Sequence, residues 1–182
     1  MNMDDKRKIR KKMLSLRGNL KKKEVSSGSD AVCARIMELE EYKKADSIFC
    51  YIAFRNEISL SRLITDAIIQ GKKVYVPVVS GEDMLVSEYS DILMDGELGT
   101  VEPKDKVYYD GEIDLAIIPA TACDRLGGRL GFGGGYYDKF LAKHKVTKLA
   151  AIYDFQLVDE LPLMPHDILM DIVVCPGDVL RF

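Results

Sequence analysis

Arg129-Leu-Gly-Phe-Gly-Gly-Gly-Tyr-Tyr-Asp138 carries glycine at 131, 133, 134 and 135, and Gly127 and Gly128 stand just ahead of it. Glycine loses the most backbone entropy on folding. So dense a cluster therefore marks chain that needs positive φ or close approach to a ligand. Upstream, Leu115-Ala-Ile-Ile-Pro119 is an apolar run of strand length. Downstream, Tyr136, Tyr137, Phe140 and Leu141 recur at helical spacing, so the loop opens a helix. A strand, a glycine-rich loop and a helix N-terminus form an anion site, because free N–H groups and the helix dipole both favour negative charge. Phosphate is the expected ligand, with Arg125 and Arg129 as cations and Asp138 as a carboxylate of the kind that holds magnesium. A glycine-rich connection with no ligand is the plainer reading of the same residues. Neither standard phosphate motif fits. The Gly-Lys-Ser/Thr of a Walker loop is missing, and Tyr136 or Asp138 stands where the last glycine of G-x-G-x-x-G belongs.

Working outward, residues 4–20 carry Ile9, Met13, Leu16 and Leu20 at steps of four, three and four, the stripe of an amphipathic helix. Its other faces hold Lys6, Arg7, Lys8, Arg10, Lys11, Lys12 and Arg17, a solvated basic face or, near the start, cations within reach of a triphosphate. Ser27-Gly-Ser-Asp30 predicts a capping box opening a second helix through Val32, Ile36 and Leu39. Ser47 to Phe54 reads as a buried strand ending in Arg55-Asn56-Glu57-Ile58. Ligands of open α/β sheets bind at that strand edge, which makes Glu57 a candidate beside its plainer reading as a cap or surface residue. Leu60 to Gln70 predicts a helix closed by Gly71. Val74 to Val79 is a strand expected to bulge or end at Pro77, and Met84 to Tyr89 alternates as an antiparallel partner. Ser90 to Gly111 is polar and turn-rich. Leu149 to Tyr153 and Ile172 to Cys175 complete the strands, with Asp167 and Asp171 near the same edge or simply capping the last strand. Helices and strands alternate without repeat or linker. The expectation is one α/β domain over residues 1–182, three-layered, with a mostly parallel open sheet flanked by helices.

Composition narrows the function. Residues 1–24 hold ten Lys/Arg against three Asp/Glu, while the remainder holds 16 against 26. A basic segment beside an acidic body suggests a local anion site and argues against a nucleic-acid surface. Cys33, Cys50, Cys123 and Cys175 show no C-x-x-C spacing, so free thiols in a reducing cytosol are expected. The apolar run Ile48 to Phe54 is too short to span a bilayer, and the charged N-terminus precedes no apolar signal region. A soluble cytoplasmic protein follows. The two histidines, His144 and His166, lack a marked nucleophile and orienting acid for a triad.

Pro119-Ala-Thr-Ala-Cys-Asp124 and Gly128-Arg-Leu-Gly-Phe-Gly-Gly-Gly-Tyr-Tyr-Asp-Lys-Phe-Leu141 together resemble the signature of the 5-formyltetrahydrofolate cyclo-ligase family. The resemblance extends to the basic first helix with Leu16-Arg17, Tyr51 through Ile58, Val74-Tyr-Val-Pro77, Glu102-Pro103, Gln156, Leu161-Pro162 and His166-Asp167. Cys123, Lys139 and Cys175-Pro176 depart from the family's common pattern. The resemblance implies a fold similar to the sugar-phosphate isomerase and CoA-transferase group. It also implies ATP- and magnesium-dependent closure of 5-formyltetrahydrofolate to 5,10-methenyltetrahydrofolate. Carried over, Lys6, Arg7, Lys8, Ile9 and Arg10 would hold phosphates, and Arg129, Leu130, Gly131, Phe132, Gly133, Gly134, Gly135, Tyr136 and Tyr137 would wrap ATP. Tyr51, Glu57 and Phe132 to Tyr136 would touch the folate, and Asp138 with Asp167 would hold Mg2+. Glu57, Arg129 and Asp138 are the expected catalytic set. Partners are then small molecules only, with neither nucleic acid nor membrane, and a monomer is expected.

Overall fold

The computed structural model describes residues 3–165 and 167–182, so His166 lies outside the described residues. Helices α1 (Met3–Gly18), α2 (Lys22–Glu38) and α3 (Glu40–Lys44) lead into β1 (Ser47–Cys50), and α4 (Ser61–Ile69) follows. Strands β2 (Lys73–Ser80) and β3 (Asp83–Glu88) form a hairpin, and β4 (Leu93–Asp95) and β5 (Val101–Pro103) form a second, smaller one. Then come β6 (Leu115–Pro119), β7 (Ala122–Asp124), β8 (Arg129–Leu130) and α5 (Tyr136–Lys143). The chain closes with β9 (Thr147–Ala151), β10 (Leu157–Val158), β11 (Ile172–Val174) and β12 (Val179–Arg181).

The main sheet runs β12-β11-β9-β6-β1-β2-β3, parallel through its five inner strands and antiparallel at both edges. Helices and loops cover both faces, as the alternation of elements predicts. Each inner strand sends alternate residues to opposite layers. Ile48, Leu115, Ile117, Leu149, Ile172 and Val174 pack with residues of α2 to α4. Phe49, Ala116, Ile118, Ala150 and Val173 pack with Phe140 and Leu141 of α5. Among the described residues no helix is long and apolar enough to cross a membrane. All four cysteines are free and buried.

Several local expectations are corrected. Ser27-Gly-Ser-Asp30 lies inside α2, which starts at Lys22, where Glu24 accepts a bond from the Lys21 N–H (2.7 Å). Instead of capping, Ser29 turns inward and its Oγ accepts the Ser59 N–H at 2.8 Å, and a Cβ on Gly28 would lie 2.7 Å from the Tyr153 ring. β2 passes straight through Pro77. Pairing with β1 stops at Tyr75, so no neighbour on that side needs the missing N–H. The α1 stripe is also shifted. Leu16 is exposed, and Arg17 takes the inward place after Met13. Finally, the Cys175-Pro176 region turns back as β12 and caps the sheet edge.

The glycine cluster divides in two. After β6 the chain leaves the sheet and forms the β7–β8 hairpin, which pairs through β7 with β10. Asp124, fully buried, accepts the N–H groups of Leu126 (2.9 Å), Gly128 (2.7 Å) and Leu161 (2.9 Å) and organises the hairpin turn. Gly127 has φ 85°, and a Cβ there would come 3.0 Å from the Met170 carbonyl. These two glycines serve the turn. Arg125 lies there too, exposed near Asp159 (3.9 Å), not at the loop that precedes α5.

Phe49 is fully buried and stacks on Phe140 at 4.4 Å, joining β1 to the α5 layer. Phe49→Ala is expected to lower the unfolding free energy by about 3–5 kcal/mol in urea denaturation. Leu85→Ala, at an exposed edge position, should change it by less than about 0.5 kcal/mol.

Candidate active site

Across the sheet the parallel strands lie in the order β2-β1-β6-β9-β11, so the winding direction reverses between β1 and β6. At such a reversal the loops leaving adjacent strands part in opposite directions and open a crevice at their C-terminal ends. Glu57 follows β1 into this crevice, and Pro119 ends β6 there with Ala120 just beyond it.

The segment after β1 is a tight turn. Tyr51 is buried and its hydroxyl donates to the Ile58 carbonyl at 2.8 Å. Arg55 and Asn56 both adopt the left-handed region (φ 47° and 58°), an uncommon state for residues with a Cβ. Asn56 Nδ2 donates to the carbonyls of Arg17 (3.2 Å) and Leu20 (3.4 Å), which tethers the turn to the end of α1. The Phe54 N–H donates to Glu57 Oε2 at 2.9 Å. The turn thus delivers one carboxylate, Glu57, 5% exposed, to the crevice.

From the other side α1 delivers Arg17, 2% exposed, with Nη1 3.7 Å from Glu57 Oε1 and 3.5 Å from the Ala120 carbonyl. Its guanidinium lies over the Phe132 ring at 5.2 Å, and its Nη2 is buried without a hydrogen-bond partner. Burial pushes the Glu57 carboxyl up to about 7, against the opposing pull of Arg17 and the Phe54 N–H. Burial also lowers Arg17, while Glu57 holds it up. Tyr51 and Tyr137, raised chiefly by burial, and Tyr153 also face this carboxylate.

The glycine loop, residues 131–135, runs beside this pair. Arg129 is 6% exposed. Its Nη1 donates to the Pro119 carbonyl (3.2 Å) and its Nη2 to Asp138 Oδ1 (2.8 Å), while Nε is buried and unpartnered. Arg10 Nε donates to the Gly131 carbonyl at 2.8 Å. Gly133 (φ 109°) faces the Arg10 guanidinium, and Gly135 (φ 71°) caps α5 in a conformation a side chain would strain. The loop is therefore a bare strip of backbone between two guanidinium groups at a helix N-terminus. That arrangement suits a polyanion.

A sequence model of the 5-formyltetrahydrofolate cyclo-ligase family matches residues 2–176. The chain belongs to the 5-formyltetrahydrofolate cyclo-ligase family. It is 31% identical to the 5-formyltetrahydrofolate cyclo-ligase of Haemophilus influenzae, over 96% of this chain and all of that one. With the Escherichia coli protein of the same name it shares 32% over 80% of this chain and 86% of that one. The NMR structure of a 5,10-methenyltetrahydrofolate synthetase from Aquifex aeolicus superposes with a TM-score of 0.86 at 32% identity, covering 97% of this chain and 92% of that one.

Within this cyclo-ligase fold the expected site residues are not equivalent. Glu57, Arg129, Asp138, Arg10, Phe132 and the loop glycines come together. Ile9 is half-buried and packs against the Met13 and Leu130 cluster, and Leu130 is core. Arg7 and Lys8 extend into solvent and pair with Asp4 and Asp5. Lys6 is bonded to Asp167, whose carboxylate also accepts the Met164 N–H. Tyr51 is buried, with its hydroxyl engaged by the Ile58 carbonyl of the same turn. The Tyr136 hydroxyl donates to the Gly81 carbonyl at 2.9 Å, tying α5 to the β2–β3 turn. Arg17 was the residue that pattern reading assigned to a solvated face. The signal that could have found it is its spacing of four from Met13 and eight from Ile9.

The residues present also bear on magnesium. No group of three His, Cys, Asp or Glu side chains gathers among the described residues. Asp138 is half-exposed and bonds Arg129 through Oδ1 alone, leaving Oδ2 for one cation contact. Magnesium takes one or two carboxylates along with nucleotide phosphates, so Asp138 fits it in that role.

Because the folded state favours the protonated Glu57, its contribution to stability is fully present below the unfolded value, near 4.5, and is lost as pH rises through about 7. Glu57→Gln removes the titration. The wild-type unfolding free energy minus that of the variant should fall by on the order of 3 kcal/mol across this range. Urea denaturation at a series of pH values reads this, and a flat difference would show an ordinary carboxyl.

Proposed function

We propose that this chain cyclises 5-formyltetrahydrofolate to 5,10-methenyltetrahydrofolate with magnesium and ATP, releasing ADP and phosphate, as a cytoplasmic enzyme. The observation that carries the reading is the bare loop between Arg10 and Arg129, adjoining a buried carboxylate at the switch point of the sheet.

The formyl oxygen of the substrate is a poor leaving group. Transfer of the γ-phosphoryl group to it breaks the bond to the ADP oxygen and leaves an iminium phosphate, cationic at N5 and carbon and anionic at phosphate. N10 then attacks the carbon and loses its proton, and the C–O bond breaks to release phosphate. Phosphoryl transfer of this kind depends on positioning and charge neutralisation more than on covalent help. The loop N–H groups, Arg10 and Arg129 suit the phosphates, with Lys6 available if it yields Asp167. Magnesium, when bound, would neutralise phosphate charge. Asp138 is the side chain to hold it, and Asp167 could join once free of Lys6. Glu57 in its ionised form offsets the cationic centre and, with a proton affinity near neutrality, can take the N10 proton and pass it to water. Phe132 and Tyr136 supply flat apolar surface for a pterin.

Purified protein incubated with 5-formyltetrahydrofolate and Mg-ATP should form methenyl product, followed by absorbance, and ADP in equal amounts. ADP without methenyl product would remove the folate assignment, and neither product from folded protein would remove the reaction. Asp138→Asn keeps an oxygen for Arg129 but removes the charge. It should lower kcat by about a hundredfold or more. A folded variant with unchanged kcat at limiting magnesium would take Asp138 out of the metal site.

A further inference from the structure

The Arg17 side chain is as deeply buried as that of Arg129, and its Nη2 donors are unused. Nη1 meets Glu57 and the Ala120 carbonyl, while Nη2, shielded from water, has no partner. A buried guanidinium N–H left unmet is costly, and it persists where a ligand supplies the acceptor. The surroundings fix what that acceptor can be. The guanidinium lies over the half-exposed ring of Phe132, the first side chain of the glycine loop. Arg17 therefore lies between the carboxylate at the β1 edge and the loop.

We propose that Arg17 and Glu57 act as one oriented dipole on the reacting group, with Arg17 Nη2 donating to an oxygen of the phosphorylated formyl group and Glu57 facing its cationic carbon and nitrogen. The inference rests on the cyclo-ligase reading and adds a catalytic residue to it. The iminium phosphate carries opposite charges on adjacent atoms, and a fixed pair of opposite charges matches it without reorganising during the step. The other groups facing Glu57 are the neutral Tyr51, Tyr137 and Tyr153 and the Phe54 N–H. Arg55 in turn faces Arg17. Arg17 is thus the one cation acting directly on the carboxylate among these neighbours.

The test compares wild type, Arg17→Gln and Arg17→Lys in rate profiles at saturating Mg-ATP, with carboxyl NMR titration of Glu57 and thermal stabilisation by Mg-ATP alongside. Arg17→Gln should lower kcat about a hundredfold or more. It should also move the acid limb and the Glu57 titration to higher pH, because the cation that favours the ionised form is gone. Stabilisation by Mg-ATP should persist. Arg17→Lys should keep the acid limb in place and recover about tenfold of the lost rate, with kcat still about tenfold or more below wild type. A folded Arg17→Gln with wild-type kcat and an unmoved acid limb overturns the proposal. Should that variant not fold, Arg17→Lys with wild-type kcat does so. Wild type that forms no methenyl product defeats the underlying reading and this proposal together. Where wild type does form it, the Arg17 variants alone decide whether the proposal stands.

Discussion

Two opposite charges taken out of water 3.7 Å apart make the most demanding interaction in this chain. Desolvating a carboxylate and a guanidinium costs several kcal/mol each, and their attraction offsets this only with good geometry and further hydrogen bonds. Glu57 gains a backbone N–H from Phe54, and Arg17 gains the Ala120 carbonyl at the limit of bonding distance. The compensation is incomplete. Glu57 is held close to neutrality in proton affinity, and one amino group of Arg17 is unmet. Replacement of the pair by apolar side chains would cost little stability on general grounds. Its presence in the crevice is accounted for by the proposed chemistry more than by folding.

The surroundings supply the geometry that the pair needs. Asn56, in the left-handed region, bonds the carbonyls of Arg17 in the last turn of α1 and of Leu20 just beyond it, so the turn that carries Glu57 and the helix that carries Arg17 are fastened to each other. Gln156 donates to the carbonyls of both Ala120 and Thr121 and holds the strand exit that Arg17 meets. Arg129 ties the same exit, through Pro119, to α5 through Asp138. Segments from residue 10 to residue 156 thus converge on the gap between β1 and β6. The reversal of winding order there provides a gap wide enough to receive them.

What could be read in advance follows from how local each signal is. The inner strands were legible because parallel strands buried on both faces are nearly continuous in apolar residues. The loop before α5 was legible because backbone left bare needs glycine. Gly127 and Gly128 looked like part of it, since sequence distance cannot separate a hairpin turn governed by Asp124 from a ligand loop a few residues on. Arg17 was illegible for the opposite reason. Hydropathy rules place arginine outside, and only a partner about 40 residues away makes its burial tolerable. Ser27 to Asp30 misled similarly, because a serine that caps a helix and one that bonds a neighbouring segment from inside it look identical in sequence. The family resemblance, carried by an ordered set of short motifs, identified the family where local pattern gave only an anion-binding loop.

The unmet donors connect stability to function. Arg17 Nη2 and Arg129 Nε are both buried, and neither finds an acceptor among the described residues. Each lowers the stability of the free protein, since an unsatisfied buried donor forfeits its hydration without return. A ligand that brings oxygens to this strip recovers that loss in addition to its own contacts, and its binding is correspondingly linked to folding. Donors held in place before a ligand arrives also need no reorganisation when charge develops on it. In the proposed reaction, the polar atoms that make the free crevice costly are the same ones that would meet the charge of the ligand, which reconciles a poorly satisfied site with its place in a well-packed sheet.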